Sequence, residues 1–338
     1  MKIGVLLTFA LLLLPANMLA QRPCTQEDAN RKPGGWGREG DDLANADSTF
    51  PKSQYSSILH KSDQVIALFE RAVPTLIGVE ARPYRSISGK SYVANGPEPF
   101  GINVPIFGYY CIPTTSGAPE LRGKIQLSGE TGTWIYFYFN SVGWLANDQM
   151  VLGHTVNGAR IYAMPRQDRE LKGYPLLLPE LNVGRPDEAI IITPDGALPY
   201  RPLSREKFLL GQQKYYQTEV DNVQKLSPVP ASALTQRQSE LTAINNLLNS
   251  MSQDDRQAQA IVRFPVNPRG RIFVSEAEGG KPLVTIDAAL FRPTSSRTSV
   301  KIITVYWRTD RNNGAKSEVI RQFKNNFDFQ ALRQMLDQ

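Results

Sequence analysis

A chain of 338 residues that is 41% apolar, 21% charged and 9% aromatic, with a formal net charge of +6, is neither a disordered tail nor a fibrous repeat. Beyond the N-terminus no run of about 20 consecutive apolar residues offers a membrane span. The length admits about two domains as a prior, and no motif names a reaction or a cofactor.

Met1-Lys2 supplies a positive start, Ile3 to Pro15 an apolar run, and Ala16-Asn17-Met18-Leu19-Ala20 a small-residue ending. That is the pattern of a secretory signal peptide cut after Ala20, so export to the periplasm or the medium is expected. Lipid attachment at Cys24 would need cleavage at that cysteine, and Gln21-Arg22-Pro23 intervene. Two cysteines, Cys24 and Cys111, survive the cut. In an oxidising compartment they are expected to pair, stapling the Gly- and Asp-rich stretch from Pro33 to Asp47 onto the body. A nucleophilic Cys111 would need a base beside it, and Tyr109-Tyr110-Cys111-Ile112-Pro113 reads as the end of a buried strand.

After an irregular arm over residues 21–50, Leu59, Ile66, Phe69 and Val73 recur at helical spacing, joined by Ile58, Val65 and Ala72, until Pro74 stops the run. His60 falls on the opposite, solvated side. Strands are expected at Leu121 to Leu127, Trp134 to Phe139, Gln149 to Val156, Ala159 to Met164 and Ala189 to Ile192. Asn157-Gly158 is a strong hairpin signal because both residues tolerate positive φ, and Ser128-Gly129-Glu130-Thr131-Gly132 suggests a second hairpin. Ser204 caps a long helix reaching Leu226, and Ser227-Pro228-Val229-Pro230 breaks the chain. Beyond it come a helix carrying Leu241, Ile244, Leu248 and Met251, and strands at Ala260 to Phe264, Leu283 to Ile286 and Val300 to Trp307. A helix from Ser317 to Asn326 and a last one capped by Asp328 close the chain. The expected class is α+β, an antiparallel strand meander with flanking helices and then a smaller helix/strand C-terminal part. It divides into a signal peptide (1–20), the arm (21–50), a main α+β domain (51–230) and a basic C-terminal α+β domain or subdomain (231–338).

The aromatic run Trp134-Ile135-Tyr136-Phe137-Tyr138-Phe139 puts Ile135, Phe137 and Phe139 on one strand face, the core side. Trp134, Tyr136 and Tyr138 share the other, and with Trp144 they could frame a ligand cleft suited to a glycan. The commoner arrangement is a strand covered on both faces. His154, in a strand and near Asp148, is the one histidine that could serve a hydrolase as base, yet no Gly-x-Ser-x-Gly elbow nominates a serine. Two histidines far apart make no metal site. Asp187-Glu188 and Asp254-Asp255 read as solvated charge. Between Arg256 and Lys324 there are 13 basic and 5 acidic residues. Either this surplus forms one polyanion-attracting face or its charges merely flank strand ends. The second is the more ordinary arrangement, and no nucleic-acid partner is expected.

At Phe50-Pro51-Lys52-Ser53-Gln54-Tyr55, Leu198-Pro199-Tyr200-Arg201-Pro202-Leu203-Ser204-Arg205 and Asn326-Phe327-Asp328-Phe329 the chain resembles uncharacterised exported proteins of Bacteroidota bacteria. The resemblance implies export and an α+β architecture and carries no activity. Together these features suggest a non-enzymatic binding or structural protein of the cell envelope, without a cofactor and with an envelope or extracellular partner. A hydrolase of unfamiliar type using His154 is the alternative.

Overall fold

The computed structural model describes residues 22–337 apart from 45, 88–90, 116, 143–154, 157–158, 179–186 and 292–295. Helix α1 (Gln26–Arg31) opens the arm and α2 (Tyr55–Ala72) follows it. Next come strands β1 (Val79–Ala81), β2 (Tyr84–Ile87), β3 (Phe100–Cys111), β4 (Ile125–Leu127), β5 (Trp134–Phe139), β6 (Thr155–Val156), β7 (Ala159–Ala163), β8 (Arg166–Leu171), β9 (Tyr174–Leu178), β10 (Asp187–Ile192) and β11 (Tyr200–Pro202). Helices α3 (Arg205–Gln224), α4 (Ala231–Ser250) and α5 (Gln253–Gln257) precede β12 (Ile261–Val262), β13 (Lys281–Ile286) and β14 (Ile303–Arg308). Helices α6 (Gly314–Asn326) and α7 (Phe329–Arg333) end the chain.

Among the described residues the strands form two antiparallel sheets, and the class is α+β as expected. The larger, nine-stranded sheet runs β1-β3-β5-β14-β10-β9-β8, with β2 and β4 also paired to β3; the smaller runs β11-β13-β7-β6, with β12 on β13. Period-2 alternation makes each sheet two-sided. From the large sheet, Ile135, Phe137, Phe139, Ile190, Ile192, Val305 and Trp307 point toward α2, α6 and α7. Their neighbours Ala189, Ile191 and Tyr306 point the other way, onto Tyr162 and Val284 of the small sheet. The small sheet's reverse face, with Ile161 and Leu283, packs on Phe208, Leu209, Tyr216 and Ile244 of the α3–α4 pair. The result is four layers, helix on sheet on sheet on helix.

Phe323 of α6 centres the outer helical layer, with Phe69, Phe137, Trp307, Phe327 and Phe329 at ring-centroid separations between 5.0 and 6.1 Å. Burying such a ring stabilises by roughly 1.5–3 kcal/mol, and offset or edge-on pairs add to that.

The expected boundary at Ser227 to Pro230 does not separate domains. Those residues form the turn of a helical hairpin, because α4 folds back along α3 and shares its core. The chain beyond then re-enters both sheets: β13 lies between β11 and β7, and β14 lies between β5 and β10. Residues 51–230 and 231–338 therefore complete the same cores and are not two units.

The arm is less irregular than its composition suggests. It runs beside β1 and β2 through bridges from Pro33 to Ile77, Trp36 to Ala81 and Asp42 to Ser86. The amides of Gly34 and Gly37 donate to Leu76 O and Ala81 O, both at 2.8 Å, and Trp36 meets Phe69 edge-on at 5.2 Å. Arg85 binds Asp41 of the arm at 2.6 Å and Asp63 of α2 at 2.9 Å. The pairing of Cys24 with Cys111 is present, with a Cα separation of 5.8 Å.

A second departure is the hairpin expected at Ser128–Gly132. Strands β4 and β5 do not pair with each other, and both pair with β3, at Tyr109–Cys111 and at Phe100–Pro105 respectively. The segment between them bulges from a single strand path, tied back where the Thr131 hydroxyl donates to Ile106 O. Around Asn157-Gly158, which lie outside the described residues, β6 and β7 pair with Val156 opposite Ala159, the register of a two-residue hairpin.

Candidate functional site

The aromatic strand occupies the middle of the large sheet, with β3 on one side and β14 on the other. Trp134, Tyr136 and Tyr138 stand in one row, half-buried, with stacked rings 5.5 and 5.6 Å apart and tilted by only 10° and 11°. In such a ladder each ring face is turned to its neighbour along the strand. Tyr136 also meets Tyr306 at 5.5 Å, so the two tyrosines belong to the margin of the inter-sheet core. Their faces are used in packing, the commoner arrangement for such a strand, and Trp134 at the end of the row lies outside that core. Trp144, grouped with the row from the sequence, and His154, the candidate base, lie outside the described residues.

At that end the sheet face carries a second set of groups that sequence reading missed. Trp134 lies in register between Pro105 and Arg308, and its indole Nε1 donates to Thr131 O at 3.0 Å. On β3, Phe107 projects from the same face two residues beyond Pro105 and opposite Glu80 of β1. Phe107 and Trp134 are half-buried and belong to none of the three core clusters. The Arg82 guanidinium lies 5.6 Å from the Phe107 ring centre. Its Nε donates to Glu80 Oε1 at 2.6 Å, and the Tyr109 hydroxyl donates to Glu80 Oε2 at 3.0 Å. Burial, with the adjacent Glu80 carboxylate adding to it, pushes the Tyr109 hydroxyl above its ordinary value and keeps it a donor. The arm closes one flank, with Glu39 3.4 Å from Arg82. Two flat apolar rings beside an oriented cation and carboxylate make a surface that can receive a ligand with alternating apolar and hydroxylated faces.

Glu188, read from the sequence as solvated, is instead a junction. Its carboxylate accepts from the Trp307 indole at 2.8 Å and pairs with Lys324 at 2.7 Å and Arg169 at 3.0 Å, joining β10, β14, α6 and β8. Asp254 and Asp255 stay exposed at the start of α5. His60 is exposed, 3.2 Å from Gln64. Three cations of the C-terminal basic stretch are paired with acids from earlier in the chain, Arg256 with Glu206, Arg297 with Glu98 and Lys324 with Glu188.

Among the described residues no group of three or more His, Cys, Asp or Glu side chains could hold a metal ion, and no helix is long and apolar enough to cross a membrane. No protein-family model, curated protein or solved structure matches this chain.

Proposed function

We propose that the protein is an exported, non-enzymatic binding protein of the cell envelope, akin to the Bacteroidota exported proteins it resembles, and that it holds a saccharide on the sheet face around Trp134 and Phe107. The observation that carries the binding role is the pair of half-buried rings outside every core cluster, flanked by the bonded Arg82 and Glu80. The bonds from Arg82 and Tyr109 hold the Glu80 carboxylate in one orientation beside the rings. Export is supported by the signal-like start and by the Cys24–Cys111 bridge, since such bonds persist in oxidising compartments.

Isothermal calorimetry with neutral oligosaccharides tests the reading. Trp134→Ala and Phe107→Ala are each expected to weaken binding by about tenfold, the worth of one stacked ring, while His154→Ala leaves it unchanged. Binding indifferent to both rings, or substrate turnover abolished by His154→Ala, would overturn the proposal.

A further inference from the structure

Beside the Cys24–Cys111 bridge lies an open groove of about 600 Å³, between the start of the arm and the loop that leaves β3. Its lining brings four cationic side chains together, Arg22 and Lys32 from the arm and Arg122 and Lys124 from the loop, against one carboxylate, Asp28. That carboxylate is already engaged. Its Oδ2 accepts from the Thr25 amide at 2.8 Å and the Thr25 hydroxyl at 2.9 Å, and its Oδ1 accepts from Arg22 at 2.9 Å. Lys32 rests 4.1 Å above the Tyr109 ring. Arg122 donates through Nε to Gly117 O at 3.3 Å, and Lys124 makes no ion pair among the described residues.

Residues about 90 to 100 positions apart converge here because the backbone is stitched as well as bridged. The Cys24 amide donates to Gly123 O at 3.0 Å, and the Gly123 amide donates to Ile112 O at 2.8 Å. Gly123 has φ +68°, and a Cβ there would stand 3.3 Å from Pro23. Four like charges gathered around one engaged carboxylate repel one another unless a counter-charge enters, and the covalent bridge opposes that repulsion. The volume suits an organic molecule of moderate size, larger than a lone inorganic anion. Guanidinium and ammonium groups together match phosphate oxygens in charge and hydrogen-bond geometry.

The geometry points to an anion-binding site in this groove for a small organic molecule carrying two or more phosphate groups, gripped by Lys32, Arg122 and Lys124 with Arg22 at the rim. The groove shares no lining residue with the Trp134 face, which it neighbours through Tyr109, and its assignment does not depend on the saccharide reading. Segment charge could not reveal it, because the net surplus of the sequence lies between Arg256 and Lys324 while this cluster assembles from the remainder.

Calorimetry on the purified protein with its bridge intact tests it, using fructose 1,6-bisphosphate as probe and inorganic phosphate and glucose as comparators. Saturable binding of the bisphosphate is expected, weakening as salt rises, with inorganic phosphate roughly tenfold weaker and no binding of glucose. The double variant Arg122→Gln/Lys124→Gln should lose roughly tenfold or more, the worth of one to two charge-assisted hydrogen bonds. Arg269→Gln/Lys225→Gln, which removes two exposed charges elsewhere, should bind as the parent does. No saturable binding, equal loss in both double variants, or full affinity in the groove variant would overturn the assignment. Inorganic phosphate binding as tightly as the bisphosphate would overturn the polyphosphate class.

Discussion

Arg297→Met is expected to lower stability by about 3–5 kcal/mol at neutral pH, the cost of leaving a buried charge without its partner. Glu98 is fully buried, and its Oε2 lies 2.6 Å from the Arg297 guanidinium. Arg297 also donates to the Thr49 hydroxyl at 3.0 Å and lies 5.2 Å from the Phe50 ring centre, so one side chain locks the end of the arm to the segment before β14. Burial pushes the Glu98 carboxyl above its ordinary 4.5, and Arg297 pulls it back. A carboxyl raised on folding lends stability that is full below its unfolded value and lost as pH rises through its folded value. Without Arg297 the folded value climbs further. The gap between variant and parent should therefore be smallest near pH 4.5 and widest at neutral pH. Urea unfolding across that range measures it, and a gap that is constant or widens toward acid would contradict the ion-pair account.

Gly34→Ala should detach the arm. A Cβ at Gly34 would stand 1.7 Å from Val79 O, a backbone atom with nowhere to go, since β1 is held by β3. Overpacking of this kind costs about 1–3 kcal/mol, and here local release between the bridge and Phe50 is the cheaper response. Hydrogen exchange would show it. The amides of Gly78 and Ala81, which donate to Lys32 O and Gly35 O, should lose protection while those of β5 and β14 keep theirs. Undiminished protection at Gly78 and Ala81 would mean the arm tolerates the side chain.

Where hydrophobic period and turn chemistry agree, the fold was legible. Strand β5 matches its expected bounds, α2 falls on the predicted stripe, and Asp328 caps α7 by accepting from the Ala331 amide at 2.9 Å. The longest strand, β3, was seen only at its last residues because Gly101, Pro105 and Gly108 read as punctuation. In the sheet each has its place: a Cβ at Gly101 would stand 2.8 Å from Phe137 O, and Pro105 still offers its carbonyl to the Arg82 amide at 3.2 Å. The β8–β9 hairpin was missed because Arg166–Leu171 is mostly charged, a composition common on exposed edge strands. Its Lys172-Gly173 turn, with φ values of 52° and 82°, was the available signal. The domain boundary failed for another reason. A Pro-rich break marks a chain reversal, and only long-range pairing reveals that β14 returns to the centre of the first sheet.

The site was legible in part for the same reason. Alternation placed Trp134, Tyr136 and Tyr138 on one face, but Phe107, Arg82 and Glu80 reach that face only through β1–β3 pairing. Likewise the four cations of the groove come from two segments joined by the bridge, and no local window contains them.

Export and the bridge are tested together by mass spectrometry of the protein recovered from outside the cytoplasm and digested without reductant. A mature N-terminus at Gln21 is expected, with a linked pair of peptides containing Cys24 and Cys111, whose 87-residue separation corresponds to roughly 4–5 kcal/mol of loop entropy. An intact Met1 start, free thiols at both cysteines, or a lipid on Cys24 would contradict that expectation.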